Sequence, residues 1–402
     1  MNLVLFTHPD FLGSQSQSLF ARMLESAYRC RGHTVELRQP RARLRRHVHG
    51  RAAKWAGYVD QYVFFPSELR RAIAGDRPDT LYVFCDQALG PWIPWVAHRP
   101  HVVHCHDLLA LRSSLGDIPE NPTAWTGRLY QRYIRRGFRH ARHFISISQK
   151  SREDLHRFGG VVPLTSEVVY NGLNYAFHPI SRESALYRLR QAGLPTGDRG
   201  CLLHVGGGQW YKNSVGVVAL YASYVRAAAN EGQPALPLWV VGPAPGESLR
   251  AELEHVPSQG RVQFFAGLES EVLMALYSYA QALLFPSLAE GFGWPIVEAL
   301  ACGCPVITTG EPPMTEVGGD AATYLPRLGH GDDVLAWATA GAQTLTRVLN
   351  RSSAERNCAA LAGRAQAARF DAENAIESYL TVYRRVLSQH VTLSQKALKH
   401  EW

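Results

Sequence analysis

No apolar run in the 402 residues approaches the roughly 20 that a helix needs to cross a bilayer, so the chain is expected not to span a membrane. The opening MNLVLFTHPDF lacks the basic segment of a secretory leader and reads as a buried strand entering a loop. The seven cysteines (Cys30, Cys85, Cys105, Cys201, Cys302, Cys304, Cys358) include no CxxC pair and are odd in number. That argues against a zinc site or a disulfide framework and for reduced thiols, packed as small hydrophobes, in a cytosolic compartment. Cys302 and Cys304 flank one glycine, too close for ordinary zinc-ligand spacing. Short-period repeats and low-complexity tracts are absent as well. Residues 8–16, HPDFLGSQS, do not supply the GxGxxG that a dinucleotide-binding oxidoreductase or epimerase would show after its first strand.

Acids are missing from one stretch of a chain whose formal charge is +8 and whose pI is about 9.2. Between Arg38 and Lys54 lie seven cations (Arg38, Arg41, Arg43, Arg45, Arg46, Arg51, Lys54) and no carboxylate, and Trp55, Tyr58, Tyr62, Val63, Phe64, Phe65 and Leu69 follow. Two readings fit: a solvated basic face, or a surface that meets an anionic bilayer through charge and bulky apolar groups. Nucleic acid is not expected as a partner, because aromatic RNP pairs, zinc fingers and a helix-turn-helix are lacking. A basic membrane-binding protein without enzyme activity is the alternative this segment keeps open.

What is present is a regular alternation. Short β-type runs at Leu3–Phe6, Val35–Leu37, Leu81–Phe84, His101–His104, Phe144–Ile147 and Glu167–Val169 are separated by helical patterns. The alternation restarts at Cys201–Val205, Leu238–Val241, Val262–Phe265, Ala282–Phe285 and Val306–Ile307, and helices fill Asp332 to Gln389. The expected fold is α/β, with two Rossmann-like doubly wound domains facing across a cleft. Their expected extents are 1–178 and 179–375, with a terminal helix over 376–402 packing back toward the first domain. Ligands of open parallel sheets sit past the carboxyl ends of the strands. His8, Asp86, Gln87, His106, Asp107, Ser148 and Gln149 are therefore candidates in the first half, and Gly206–Lys212, Gly242, Ala266, Gly267 and the loop 286–294 in the second.

The segment FPSLAEGFGWPIVEALACGCPVITT, Phe285 to Thr309, carries the most chemistry. Gly291 and Gly293 let backbone amides approach a ligand, Pro295 suits the first turn of a helix, and Gly303 suits its end. The amino end of that helix offers free N–H groups and a positive dipole to a pyrophosphate. Glu290 precedes the helix and Glu298 stands inside it; either alone would read as a solvated or salt-bridged acid.

With its flanks, EGFGWPIVE resembles the E-x7-E motif of the family-4 retaining glycosyltransferases of the GT-B fold. VVYNGLN at 168–174, CHDLLALR at 105–112, FISISQKSREDL at 144–155, HVGGGQWYKN at 204–213 and TEVGGDAA at 315–322 are similar to further segments of that family, so the resemblance covers most of the chain. It implies transfer of a hexose from a nucleotide-sugar to a glycan or lipid-linked oligosaccharide, with retention, in polysaccharide biosynthesis. Glu290 would contact donor-sugar hydroxyls, Glu298 the ribose, and the amides of Gly291, Phe292 and Gly293 the sugar and phosphates. Lys212 would meet the diphosphate, and His106 would lie by the donor sugar, free to hydrogen-bond in either sense. Gly13 partly matches a glycine loop facing the phosphates; Asp86, Gln87 and Asp107 fall on the acceptor side. The family's second diphosphate cation, an arginine, has no counterpart in Gly206-Gly207-Gly208-Gln209. No cofactor and no metal are expected, and Asp332-Asp333 reads as the acidic start of a helix. The expected location is cytoplasmic, peripheral on the inner face of the cell membrane.

Overall fold

The computed structural model describes residues 1–12, 15–206 and 208–400, and Gly13 lies outside them. Two compact units make up the chain. The first joins Met1–Ile118, Pro122–Gly172 and Ala372–Trp402; the second joins Pro119–Asn121 and Leu173–Asp371.

The first unit is built on six strands: β1 (Asn2–Phe6), β2 (Thr34–Arg38), β3 (Thr80–Phe84), β4 (His101–Cys105), β5 (His143–Ser146) and β6 (Thr165–Val168). They form one parallel sheet in the order β2-β1-β3-β4-β5-β6. β3 and β4 are buried at every position, as expected of strands covered on both faces. One face packs under the helix Ala372–His400, whose Ile376, Tyr379, Leu380, Tyr383 and Val386 join Leu3, Leu5, Leu81 and Val83 in one core. The phenols in that core are not left unpaired. Tyr28 donates to Tyr383 at 3.2 Å, Tyr383 lies 2.7 Å from His104 Nε2, and Tyr379 donates to Asn171 at 3.1 Å. The opposite face buries Phe6, Phe65, Trp92 and Phe138.

The second unit carries β7 (Leu202–Val205), β8 (Leu238–Val241), β9 (Val262–Phe265), β10 (Ala282–Phe285), β11 (Val306–Thr309) and β12 (Thr323–Leu325). They too are all parallel, in the order β12-β11-β10-β7-β8-β9. In both sheets the strand order reverses once, between β1 and β3 and between β7 and β10. Parallel sheets open a crevice at such a point because the flanking loops leave in opposite directions. The fold is therefore the expected pair of Rossmann-like sheets.

Three expectations need correction. Arg38 is no free cation: it is 8% exposed, with Nε donating to Glu36 at 2.7 Å and Nη1 to Asp76 at 2.6 Å. The basic stretch is also not without acids in space. Asp60, 1% exposed, accepts from the amides of Arg43, Leu44 and Arg45 at 2.9–3.0 Å, and Glu68 pairs with Arg43. Cys30 and Cys358 are exposed, so only five of the cysteines pack as buried hydrophobes.

Backbone contact at glycine fixes the helix Trp125–Phe138 against the turn Gln87–Trp95. A Cβ on Gly137 would fall 2.2 Å from the Gly90 carbonyl oxygen and 2.9 Å from Pro91 Cα, with only backbone in the way. Gly137→Ala is expected to destabilise the protein by about 1–3 kcal/mol through overpacking. Urea unfolding checks this, and an unchanged midpoint would mean that the helix can shift freely.

Candidate active site

In the second unit the loops after β7 and β10 meet across the strand reversal. Asn213 ends the first loop in the left-handed region (φ 54°) and caps the helix Ser214–Asn230 by accepting from Gly216. Its Nδ2 donates to the Pro286 carbonyl at 3.0 Å, and the Leu288 amide donates to the Tyr211 carbonyl at 2.7 Å. These ties bring Lys212 onto the second loop. Lys212 Nζ donates to Glu290 Oε1 at 2.8 Å and lies 4.6 Å from the centre of the Phe285 ring. Glu290 is 9% exposed, so the pair is nearly dry.

The helix Trp294–Ala301 begins where the sequence places it, with Pro295 in its first turn, and Gly303 follows at φ 75°. Gly293 precedes it at φ 101°, a conformation open to glycine and costly for other residues. Gly291 and Gly293 thus sit at the positive end of the helix, while the Phe292 ring is buried edge-on against Phe370. Glu298 faces away from solvent at 7% exposure and accepts from the Tyr277 hydroxyl at 2.8 Å. Burial raises its carboxyl to about 7, opposed by the Tyr277 hydrogen bond and the Lys212 charge. Glu290 and Glu298 therefore differ: one is ion-paired with Lys212, and the other has its carboxyl pushed up to about 7 by burial.

Beside these loops, at the ends of β7 and β8, a cavity of about 490 Å³ is lined by Gly206, Gln209, Trp210, Asn213, Pro243 and Glu247 among others. Gly242 packs its backbone against Gly206, where a Cβ would fall 2.1 Å from the Gly206 carbonyl oxygen. Beneath the lysine loop, His204 Nδ1 donates to the Leu284 carbonyl at 2.8 Å, which leaves Nε2 to accept from Ser214 at 3.1 Å.

In the first unit the residues past β3 and β4 also converge. Asp86 caps the turn Gln87–Trp95, accepting from Ala88 at 2.7 Å, and meets His8 Nε2 at 3.1 Å. Burial pushes the Asp86 carboxyl up, but the hydrogen bond and charge of His8 and the charge of His106 together hold it below the usual range. Gln87 Oε1 accepts from the His106 amide at 2.9 Å, and Asp107 Oδ1 accepts from Leu109 at 3.0 Å. His106 is more constrained than the sequence suggests. Burial lowers its pKa despite Asp86, and the contact of Nε2 with the Cys85 carbonyl at 2.9 Å puts the hydrogen on that nitrogen. Only Nδ1 remains, as an acceptor; hydrogen bonding in either sense is not open to it.

Two participants were not foreseen. Tyr277 lies inside the helix Ser270–Tyr279, where nothing distinguishes it from a core aromatic. Arg327 follows β12 and donates to the Leu288 carbonyl at 2.9 Å and to Glu120 at 2.6 Å, pinning the base of the Glu290 loop.

Tyr277→Phe removes a donor that favours charged Glu298, so the Glu298 carboxyl should titrate above its present value of about 7. Carboxyl carbon NMR against pH measures the change; a midpoint that falls or stays fixed would contradict the arrangement.

Comparison with known proteins agrees with this geometry. A model described as a glycosyl transferase 4-like domain matches residues 17–172, and one for glycosyl transferases group 1 matches residues 188–325. The chain is 31% identical over 132 residues to the O-antigen chain mannosyltransferase B of Escherichia coli, a match covering 33% of this chain and 32% of that protein. This match thus spans about a third of that relative's length. Identity to the D-inositol 3-phosphate glycosyltransferase of Mycolicibacterium paratuberculosis is 28% over 352 residues, covering 83% of this chain and 73% of the other. Among solved structures, the sucrose-phosphate synthase of Thermosynechococcus elongatus superposes with a TM-score of 0.72 at 19% identity, over 97% of this chain and all of that one, which is a likeness of fold. With each half matched by a glycosyltransferase model and carried on its own Rossmann-like sheet, the chain belongs to the family-4 glycosyltransferases of the GT-B fold.

Proposed function

We propose that this protein moves a hexosyl group from a nucleotide-sugar to a glycan or lipid-linked acceptor in polysaccharide biosynthesis, with retention at the anomeric carbon. The observation that carries the reading is the nearly dry Lys212–Glu290 pair at the strand reversal. The amino end of the helix Trp294–Ala301 and the carboxyl of Glu298 belong to the same segment. The O-antigen relative supports the polysaccharide assignment, by name and over part of its length.

In the proposed reaction the bond from the anomeric carbon to the diphosphate oxygen breaks while the bond to the acceptor oxygen forms on the same face. The departing phosphate oxygen takes the acceptor's proton. Negative charge grows on the diphosphate, where Lys212 and the helix amides act as a fixed positive field. That field stands in for a metal, so none is required. Glu290, positioned by its contact with Lys212, accepts from sugar hydroxyls. Glu298, its carboxyl pushed up by burial, accepts from or donates to the ribose. On the first unit His106 offers Nδ1 to a hydroxyl, with Asp86 setting its electrostatics. Retaining hydrolases instead use two carboxylates about 5–5.5 Å apart, one of them a nucleophile. A glutamate engaged by lysine is a poor nucleophile, which favours the same-face route.

A peripheral seat on an anionic cytoplasmic membrane completes the proposal. Trp55 is 66% exposed and Trp125 72%. The two stretches that carry them touch: the Tyr58 ring lies tilted against Tyr130, the Tyr62 ring meets it edge-on, and the hydroxyls of Tyr62 and Tyr130 are 2.6 Å apart. Leu129 and Tyr133 continue the exposed face of the helix Trp125–Phe138, flanked by the exposed Arg128, Arg132 and Arg136. Amphipathic aromatics with a cationic surround suit a headgroup layer better than water.

Glu290→Gln should nearly abolish transfer while the fold persists; turnover near wild type would remove Glu290 from the site. Lys212→Ala should cost about 2–4 kcal/mol in kcat/KM, by analogy with the loss of one preorganised donor. A loss below about tenfold would mean that another cation serves the diphosphate. In liposome flotation, recovery should require anionic lipid and weaken with salt. It should also fall in Trp125→Ser and in the Arg41→Ser, Arg46→Ser double variant. Equal recovery with neutral and anionic vesicles, or none, would leave a soluble acceptor as the better reading.

A further inference from the structure

The first sheet has a second concentration of chemistry at its other edge, where β4 and β5 begin rather than end. The glycosyl-transfer candidates of this unit lie past the carboxyl ends, a strand's length away. At the starting edge a cavity of about 510 Å³ is lined by Arg99, His101, Arg142, His143 and, from the helix Ala372–His400, Val386 and His390 among others. No carboxylate is among the described residues lining it. As donors the two guanidinium groups meet carbonyl oxygens: Arg99 donates to Arg77 and also lies over the Tyr82 ring, and Arg142 donates to Val162 at 3.4 Å. Neither guanidinium has an ion-pair partner among the described residues, although the Arg99 charge also acts on Asp76.

The imidazoles divide into a fixed and an available group. His101 is saturated, donating through Nδ1 to the Arg99 carbonyl at 2.8 Å and accepting through Nε2 from the Arg142 amide at 3.3 Å. His143 is 9% exposed and spends Nδ1 on Thr165 Oγ1 at 3.0 Å. Its Nε2 has no hydrogen-bond partner among the described residues, although the ring lines the cavity. The second nitrogen of the His143 imidazole and two guanidinium groups without an ion-pair partner thus border one cavity, a set of groups suited to an anion.

We propose that this cavity is a second anion site, which takes the phosphate group of a small molecule between Arg99, Arg142 and the imidazoles of His143 and His390. A tetrahedral oxyanion matches guanidinium forks and N–H donors together, and the volume admits a phosphate ester as well as free phosphate. The titration behaviour agrees. Burial first, and then the mutual repulsion of the cluster, lowers His101 (against His390 and Arg142), His143 to about 4 (against His101 and His390) and His390 (against Arg99 and His98). These groups come from the segment before β4, from β4, β5 and the terminal helix, which also lines the cavity with the uncharged Ser388, Gln389 and Thr392, and His143 is hydrogen-bonded to Thr165. An entering anion reverses the repulsion and draws protons onto the imidazoles, so its affinity should rise as pH falls.

The test uses the full-length protein with carbon-labelled imidazoles, titrated with inorganic phosphate, with a hexose phosphate, and with chloride at matched ionic strength. Both phosphate arms should move His143 and His390 to saturation, toward the protonated position, and chloride should not. Tighter binding of the hexose phosphate identifies an ester as the ligand; equal binding identifies free phosphate. Arg142→Gln, a change at an exposed side chain, should weaken binding about tenfold, one charge-assisted contact. His390→Gln should also weaken it. Lys212→Ala should leave it unchanged, which separates this site from the donor diphosphate. Sulfate, dianionic throughout, should bind more tightly at about pH 5 than at about pH 8. Absence of saturation, indifference to Arg142→Gln and His390→Gln, or a sulfate affinity flat with pH would each overturn the proposal.

Discussion

A lysine and a glutamate meet where two neighbouring strands send their chains to opposite sides of a sheet, and the rest of the second unit is arranged to keep them there. Burying such a pair costs desolvation that its attraction barely repays unless the geometry is fixed. The fixing is done by backbone. Asn213 takes a left-handed turn and reaches Pro286, Leu288 reaches Tyr211, and Arg327 holds Leu288 from the far side. None of these contacts touches the ion pair itself, yet each removes a way for its two loops to separate. The arrangement is preorganised, with polar groups oriented before any charge develops.

The imidazoles obey a related logic. Of those past or within strands, His104, His106 and His204 are all pushed down by burial, His104 to about 3 and His204 to about 4. They stay neutral near pH 7, and neighbouring carbonyls set the tautomers of His106 and His204. Neutral imidazole then works as an oriented donor and acceptor rather than as a proton carrier. Glu298 is the exception, since burial leaves it titrating near neutrality.

All but one of the strands were legible from apolar runs bounded by turn residues. β12 was not: Thr323–Leu325 has three residues, two of them partly exposed, too short for a pattern. Missing it hid Arg327, because the rule that ligands gather past strand ends needs the strand first. The helix at Trp294 was legible because Gly293, Pro295 and Gly303 each have a local backbone reason. Pairings were not legible. Arg38 finds Asp76, and Arg43–Arg45 find Asp60, across intervals that no spacing rule spans, so a run of cations looked more exposed than it is. Tyr277 was hidden for the opposite reason, since a tyrosine inside a buried helix is ordinary until its hydroxyl is seen to reach Glu298.

The helix Ala372–His400 contributes Tyr379, Tyr383 and Val386 to a core otherwise made from residues before Gly172. Gly172 lies so close to Ala372 that a Cβ on it would come within 2.3 Å of the Ala372 Cα. The order of synthesis and the order of completion therefore differ. A ribosome finishes the first sheet's strands early, but that sheet lacks one cover until the residues after Asp371 have emerged. The second unit, closed by Asp371, has all its strands sooner. Domains generally fold as units, N-terminal first. Here the earlier half must wait with apolar surface uncovered, and it is completed by the docking of a helix made after the second unit.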